Sequence, residues 1–521
     1  MPSPGFRALR RPDARWLVLL PALAIVFLSS VDLTVIAPIL PLILLDLNIN
    51  AAEADRYVWI ASGYLIAYTS FIPLFGRLSD SIGRYRALII AATLFIGGSL
   101  ICATADSLWM LVLGRIVQGA GGGAMLPVTL ALVADIFDDD TRAPMLGVVG
   151  AVETVGWVLG PMWGSLIEQI AGSWRWVFWV NVPAGVLIGT AMLRPARTVA
   201  QDFMSRHRLD LVSAFLIVAG LATITTGLSI AETTAVEDGA RALGAQDHPL
   251  DGYRLPFILA GIALIAAFIL RQTRLSNPLV PLRLFRIRRF SSAAIANFGM
   301  GVALMVALVN VPVAVAVLVS ASRLSVVTAQ LLAGFSIPMA ITALSGGFLV
   351  RQLGRMPPAA AGFALGAVGY LLMSRWPYEI DFAAMLPGLL LAGAGLGLVI
   401  APLADAALVS AKEDDRGIAA SLVIVMRLLG MTLGISVLSA WATGQVDSRL
   451  RAIDIPPQTE AETTAQYLER QEEYLFDQAI PITLDILQTT YLVAGIVCML
   501  ALIPALWIGR RAMNSGAERT P

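Results

Sequence analysis

Apolar residues in this chain gather into long runs, broken by short polar connectors that carry most of the arginines. A helix needs about 20 mainly apolar residues to cross the hydrocarbon core of a bilayer. Fourteen stretches meet or approach that length: 16–41, 54–75, 87–105, 108–137, 143–170, 174–193, 209–231, 255–270, 290–320, 326–350, 357–375, 382–411, 417–442 and 482–508. The eighth is short. The pattern predicts an all-α integral membrane protein with 14 spanning helices.

Composition supports this, since a chain that is 57% hydrophobic and 14% charged, with mean hydropathy +0.78, exceeds the apolar share of a soluble domain. Net charge is zero, so no global basic footprint points to nucleic acid. The asymmetry lies between connectors. With the amino terminus inside, Lys and Arg fall mainly in cytoplasmic segments, as the positive-inside rule requires. An even helix count then returns the tail, with Arg510 and Arg511, to the cytoplasm, and the plasma membrane is the expected location. The first run follows Arg7, Arg10, Arg11 and Arg15 without a small-residue cleavage site and reads as a retained helix. Cys102 and Cys498 sit inside apolar runs, which predicts neither disulfide nor metal site, and His207 and His248 are too far apart to suggest a catalytic pair. The sequence carries no His/Asp metal cluster, nucleophile elbow or nucleotide-binding glycine loop. An enzyme is not indicated, and no cofactor is expected.

The second half echoes the first. Gly347 to Arg355 repeats the Gly-six-residues-Gly-Arg spacing of Gly76 to Arg84, with Arg351 where Asp80 stands. Gly393-Ala394-Gly395-Leu396-Gly397 matches Gly119-Ala120-Gly121-Gly122-Gly123, and Arg427 with Gly430 and Gly434 matches Glu153 with Gly156 and Gly160. Three echoes in one order predict two six-helix repeats with two helices inserted between them. The expected division is a cytoplasmic tail 1–15, an amino-terminal bundle 16–193, a linker 194–289 with the inserted pair, a carboxy-terminal bundle 290–508 that includes an external segment 443–481, and a cytoplasmic tail 509–521.

The connector Gly76-Arg77-Leu78-Ser79-Asp80-Ser81-Ile82-Gly83-Arg84-Tyr85-Arg86 has two ordered glycines around a lone carboxylate and three arginines. Gly76 allows close backbone approach and Gly83 a tight reversal. The pattern resembles, at every fixed position, the signature loop between helices 2 and 3 of the major facilitator superfamily of secondary transporters. The 6+2+6 arrangement is similar to the fourteen-helix drug:proton antiporter branch, over nearly the whole chain. That resemblance implies a cytoplasmic latch in which Asp80, Arg84 and Arg86 contact adjacent helix ends.

Helix 1 carries Asp32 in Ser29-Ser30-Val31-Asp32-Leu33-Thr34-Val35, similar to the acidic helix-1 motif of that branch. An ionisable group at membrane depth costs about 2.5–3.5 kcal/mol on insertion scales, which points to proton or cation coupling, with a structural hydrogen-bond role as the alternative. Arg115, in Arg115-Ile116-Val117-Gln118-Gly119, resembles the family's R-x-x-Q-G motif, and Asp32 is its candidate partner. Gly156, Gly160-Pro161 and Gly164 are similar to the antiporter motif of helix 5 and imply export. Trp174 to Pro183 resembles the opening of helix 6 in the same branch. Glu153 departs from the usual apolar residue at its position and is either a second proton or substrate site or a structural partner, as is Arg427 at the equivalent place. A glutamate here resembles a mycobacterial branch associated with lipid and drug export.

The segment Thr443 to Pro481 holds Asp447, Asp454, Glu460, Glu462, Glu469, Glu472, Glu473 and Asp477, with Pro456-Pro457 splitting it. It is either a solvated shield loop, with Thr463 to Ala479 as a short helix or hairpin arm, or an extension that receives a lipidic substrate or docks a periplasmic carrier protein. The reading is a monomeric, proton-gradient-driven exporter of hydrophobic or cationic small molecules. Lipid or glycolipid export is the alternative, and a non-transporting receptor or scaffold a second.

Overall fold

The computed structural model describes residues 12–47, 54–199, 210–241, 253–276, 278–319, 321–451 and 464–509. Arg7, Arg10, Arg11, Arg510, Arg511, both histidines, Pro456-Pro457, Asp454, Glu460 and Glu462 lie outside them. Fourteen of the described helices are long and apolar enough to cross a membrane. A bilayer core offers no water to backbone groups, so a spanning segment must satisfy them internally, as a helix does. The spans are α1 (Pro12–Thr34, continued after a break by Ile36–Asp46), α2 (Ala54–Ile82), α3 (Arg84–Ala103), α4 (Leu108–Ile136), α5 (Asp139–Ala171) and α6 (Arg175–Val199). Then come the inserted α7 (Leu211–Arg241) and α8 (Arg254–Arg274). The second set is α9 (Arg288–Leu318), α10 (Ala321–Leu353), α11 (Met356–Met373), α12 (Phe382–Ser410), α13 (Arg416–Arg451) and α14 (Thr464–Ala505). The end bearing the basic connectors is called the inner end below.

The sequence echoes are packing echoes. α4 lies against α2 and α3, as α12 lies against α10 and α11. Gly119 and Gly123 of α4 abut the carbonyls of Tyr64 and Tyr68, and Gly393 and Gly397 of α12 abut those of Phe335 and Met339. The halves meet along α5 with α10 and α2 with α13. The inserted α7 packs across the second seam, against both α2 and α13, and carries α8 on its far side. Just before α7, bidentate hydrogen bonds from Arg271 at 2.8 and 3.0 Å hold the Asp210 carboxyl down at about 2 and tie the pair together.

Several helices outrun the expected stretches because polar residues extend them past the hydrocarbon. The largest differences are at α13 and α14. The external segment is not a loop with a separate short helix. α13 continues to Arg451 and α14 starts at Thr464, so both arms are extensions of spans, and Arg449 pairs with Asp485 across them. At 36 and 42 residues the two helices run about 54 and 63 Å. A bilayer is about 45 Å thick with its headgroups, so the hairpin stands clear of it.

Helix α1 breaks at Val35, three residues before Pro38, which cannot donate to the Thr34 carbonyl. The α5 glycines four apart share one face, and that face packs on α1. A β-carbon at Gly156 would stand 2.5 Å from Ser30 Cβ, one at Gly160 2.6 Å from the Val31 carbonyl, and one at Gly164 2.8 Å from that of Val35. Pro161 leaves the Trp157 carbonyl without its helical donor, and Thr34 Oγ1 donates to it at 3.0 Å. Gly160→Leu should therefore separate α1 from α5, costing about 1–3 kcal/mol through overpacking. The expected readout is a lowered thermal unfolding midpoint in detergent; an unchanged midpoint would contradict this packing.

Candidate functional site

Three groups of buried charge stand out, one within the first half and two between the halves. The first surrounds Asp32, which is 1% exposed. Arg115 Nη1 pairs with its Oδ2 at 2.6 Å, while Gln118 Nε2 and Asn181 Nδ2 each donate to Oδ1 at 2.9 Å. Arg115 also donates to Gln118 Oε1 at 2.8 Å, and its guanidinium lies 3.9 Å from the Tyr64 ring centroid. Gln118 donates onward to Ser99 Oγ at 2.8 Å. The expected Asp32–Arg115 contact is present, assembled from α1 and α4. Sequence reasoning quoted Gln118 and Asn181 inside motifs without giving them a role, and it missed Ser99. Every member of this cluster belongs to the first half. Protonating Asp32 therefore weakens contacts among α1, α4 and α6 and acts on the second half only through them.

The second group joins the halves. Glu153 of α5 and Arg427 of α13, the pseudo-equivalent pair, are ion-paired to each other and both buried. The two residues do not serve separate neighbours. The Trp157 ring centroid lies 5.5 Å from the Arg427 guanidinium. On the inner side of the pair is a small cavity of about 20 Å³ between the halves, lined by Leu126, Leu130, Ile400, Val423 and Ile424, with Asn297 the further polar group at its wall.

The third group surrounds the segment Gly76 to Arg86, expected from the sequence to be a latch. Gly83 has φ +94°, a conformation open to glycine, and starts α3; Gly354 repeats it at +85° ahead of α11. Gly76 packs its Cα face on Gly417 and Ser421 of α13. Asp80 accepts from the backbone N–H groups of Gly417 at 2.8 Å and Ile418 at 3.0 Å, and is paired with Arg84. These N–H groups open α13 and have no partner inside that helix, so a carboxylate from the opposite half caps it. Arg84 Nε also donates to Asp135 at 2.8 Å. Arg86, two residues further on, is exposed.

Sequence reasoning missed the acids that complete the latch. Asp135 at the end of α4 holds Arg84 and, at 3.0 Å, Arg416 of α13. Asp405 at the end of α12 holds Arg355 and Arg142 of α5, each at 2.6 Å. Asp415 holds Arg77 at 3.1 Å and Arg283 at 2.6 Å. Each buried carboxylate thus binds arginines from both halves or from a half and the linker, and the inner ends are fastened at two pseudo-symmetric points. The signal in the sequence was faint: an acid closing one apolar run and an arginine opening the next.

Asp80→Asn keeps one acceptor and places an amide N–H against another N–H. A charge-assisted hydrogen bond of about 1.5–3 kcal/mol is lost in the latched state alone. Turnover should fall roughly 10- to 100-fold with folding little changed, by the same energy. Intact transport in a well-expressed Asp80→Asn protein would contradict this.

The geometry has counterparts among known proteins. Residues 22–435 match the sequence profile of the Major Facilitator Superfamily. A triacylglyceride transporter of Mycolicibacterium hassiacum is 35% identical over 440 residues, covering 82% of this chain and 79% of its own. A triacylglyceride transporter of Mycobacterium tuberculosis is 32% identical over 452 residues, covering 83% and 84%. A probable triacylglyceride transporter of Mycobacterium leprae is 30% identical over 512 residues, covering 95% and 96%. In architecture the chain resembles the human organic anion transporter MFSD10 and the proton:xylose symporter XylE, each with a TM-score of 0.58 at 14% identity over 94% of this chain. Spans, repeat packing and profile agree, and the chain belongs to the Major Facilitator Superfamily, as a multi-pass membrane transporter and not an enzyme.

Proposed function

We propose that the protein exports a neutral, ester-bearing lipid of the triacylglycerol class across the plasma membrane, driven by inward proton flow. The observation that carries this reading is the state of the central carboxylates. Asp32 is occupied by Arg115, Gln118 and Asn181, and Glu153 by Arg427. Among the described residues at the core of the seam, no carboxylate is left to neutralise a cation, and the wall inside the Glu153–Arg427 pair is otherwise nearly all apolar. An apolar cargo needs no counter-charge there, whereas a cationic drug would have to displace a buried arginine at a cost of several kcal/mol. The curated relatives named triacylglyceride transporters support the same substrate class.

Asp32 serves as the proton site in this reading, and the Glu153–Arg427 pair as the tie between halves that must open for cargo to pass. With both termini cytoplasmic, the α13–α14 hairpin stands on the periplasmic side, where it shields acyl chains leaving the outer leaflet or passes them to a carrier protein. The test is side-by-side transfer of a fluorescent triacylglycerol and a lipophilic cation by reconstituted protein. Lipid transfer, reduced about tenfold or more when the hairpin is cut back to the membrane surface, is expected; this range corresponds to about 1.4 kcal/mol or more. Cation transfer that survives the deletion, without lipid movement, would return the assignment to drug antiport.

A further inference from the structure

The proton site and the tie between halves are separate, and the space between them is not empty. Asp32 and its partners bond only within the first half, yet the buried ion pair that joins the halves beside the central cavity is Glu153–Arg427. A proton that stays on Asp32 leaves that bond intact. Three hydroxyl side chains converge on the notch left by Gly122 of α4, with Tyr64 in electrostatic reach of Asp32 and Tyr68 of Glu153. A β-carbon at Gly122 would stand 2.9 Å from Tyr64 Oη, 3.4 Å from Ser29 Oγ and 3.5 Å from the edge of the Tyr68 ring. Ser29 lies one turn before Asp32 on α1 and donates to the Gly122 carbonyl at 3.1 Å. Tyr64 and Tyr68 are one turn apart on α2 with ring centroids 5.8 Å apart. Tyr64 is fully buried, and its Oη faces Ser29 without a hydrogen bond of regular geometry, so rotation of either hydroxyl can make or break the link.

We propose that Ser29, Tyr64 and Tyr68 form a hydroxyl relay that carries a proton from Asp32 to Glu153. The proposal rests on the proton-coupled reading of this site. The carboxyl O–H of Asp32 breaks as its proton passes to the nearest hydroxyl oxygen, which releases its own proton to the next, and the last hydroxyl delivers a proton to Glu153. The net change is a carboxylate regenerated at Asp32 and a carboxylic acid formed at Glu153. Rotation of the hydroxyls restores the relay. Charged and titratable groups facing it are Asp32 and Arg115 at one end, with Cys102 behind Gln118, and, at the other, Glu153 and Arg427, whose charges act on Tyr68. Neutral Glu153 no longer holds Arg427 by charge, and the halves part at α5 and α13. Regenerated Asp32 re-engages Arg115, so proton delivery and opening of the seam become one event.

Tyr64→Phe and Tyr68→Phe keep the rings, including the face over Arg115, and delete only the oxygens. The measurement is proton uptake per lipid moved, from a trapped pH dye in proteoliposomes under an imposed gradient, together with lipid exchange without a gradient. Each variant should lose gradient-driven proton uptake about 100-fold, the scale of a lost proton-transfer group, while gradient-free exchange stays within about twofold, the scale of unaltered binding. Wild-type proton uptake in both variants would overturn the relay. Equal loss of exchange and uptake would also overturn it, by assigning the tyrosines a structural role. A wild-type protein that moves lipid without protons would overturn the proton-coupled reading itself, and the relay with it.

Discussion

Arg115→Ala is expected to yield little folded protein. The substitution removes the guanidinium that neutralises Asp32 and leaves a carboxylate that is 1% exposed, with two amide donors but no counter-charge. Breaking a buried pair by deleting one partner costs about 3–5 kcal/mol, against a total stability of about 5–15 kcal/mol. Pairing the change with Asp32→Asn removes the stranded charge and should restore most of the yield, but not gradient-driven transport. Asp32→Asn alone should fold, since Arg115 keeps Gln118 and the Asp32 carbonyl as acceptors. Yield and unfolding midpoint in detergent, read beside transport, separate these effects. A stable, active Arg115→Ala protein would show that the pair carries neither fold nor coupling.

The second large effect belongs to the bond between the halves. Glu153→Gln leaves Arg427 buried opposite an amide, and Arg427→Leu strands Glu153. Either should reduce transport by roughly two to almost four orders of magnitude if the buried pair contributes about 3–5 kcal/mol to the state it closes. Exchanging the charges, with Glu153→Arg and Arg427→Glu together, restores an attractive pair at the same junction. It should recover the junction, read as gradient-free lipid exchange, but not gradient-driven proton uptake, because the proton is delivered to a carboxylate on α5. Recovery of gradient-driven transport as well would show that the pair is a purely mechanical tie and that no carboxylate is required on α5.

The spans were legible in the sequence because the bilayer imposes a local length and polarity on each of them. The repeat was legible because glycines that allow close helix contact cannot drift without a clash: Gly119, Gly123, Gly393 and Gly397 all meet backbone. The Asp32–Arg115 pairing could be anticipated since a buried guanidinium needs an acid, and the family motifs supplied both. The Glu153–Arg427 contact was only half legible. Their equivalence could be read from spacing, but equivalent positions meet face to face only when they lie near the pseudo-two-fold axis, which is a property of the assembled halves. Asp135 and Asp405 were not legible. Each looks like a charge at the edge of a connector, and its partners lie up to 281 and 263 residues away in sequence. The reach of the hairpin was hidden for a different reason: a helix that leaves the membrane loses its apolar signature while keeping its hydrogen bonds.

The central claim is that a proton gradient drives a neutral lipid through this seam. Its direct test is the rate at which a fluorescent triacylglycerol leaves the inner leaflet of sealed proteoliposomes, with and without an imposed proton gradient. The account predicts transfer that accelerates under the gradient and returns to the ungradiented rate when a protonophore is added. Lipid transfer at the same rate under all three conditions, or none under any, would contradict it.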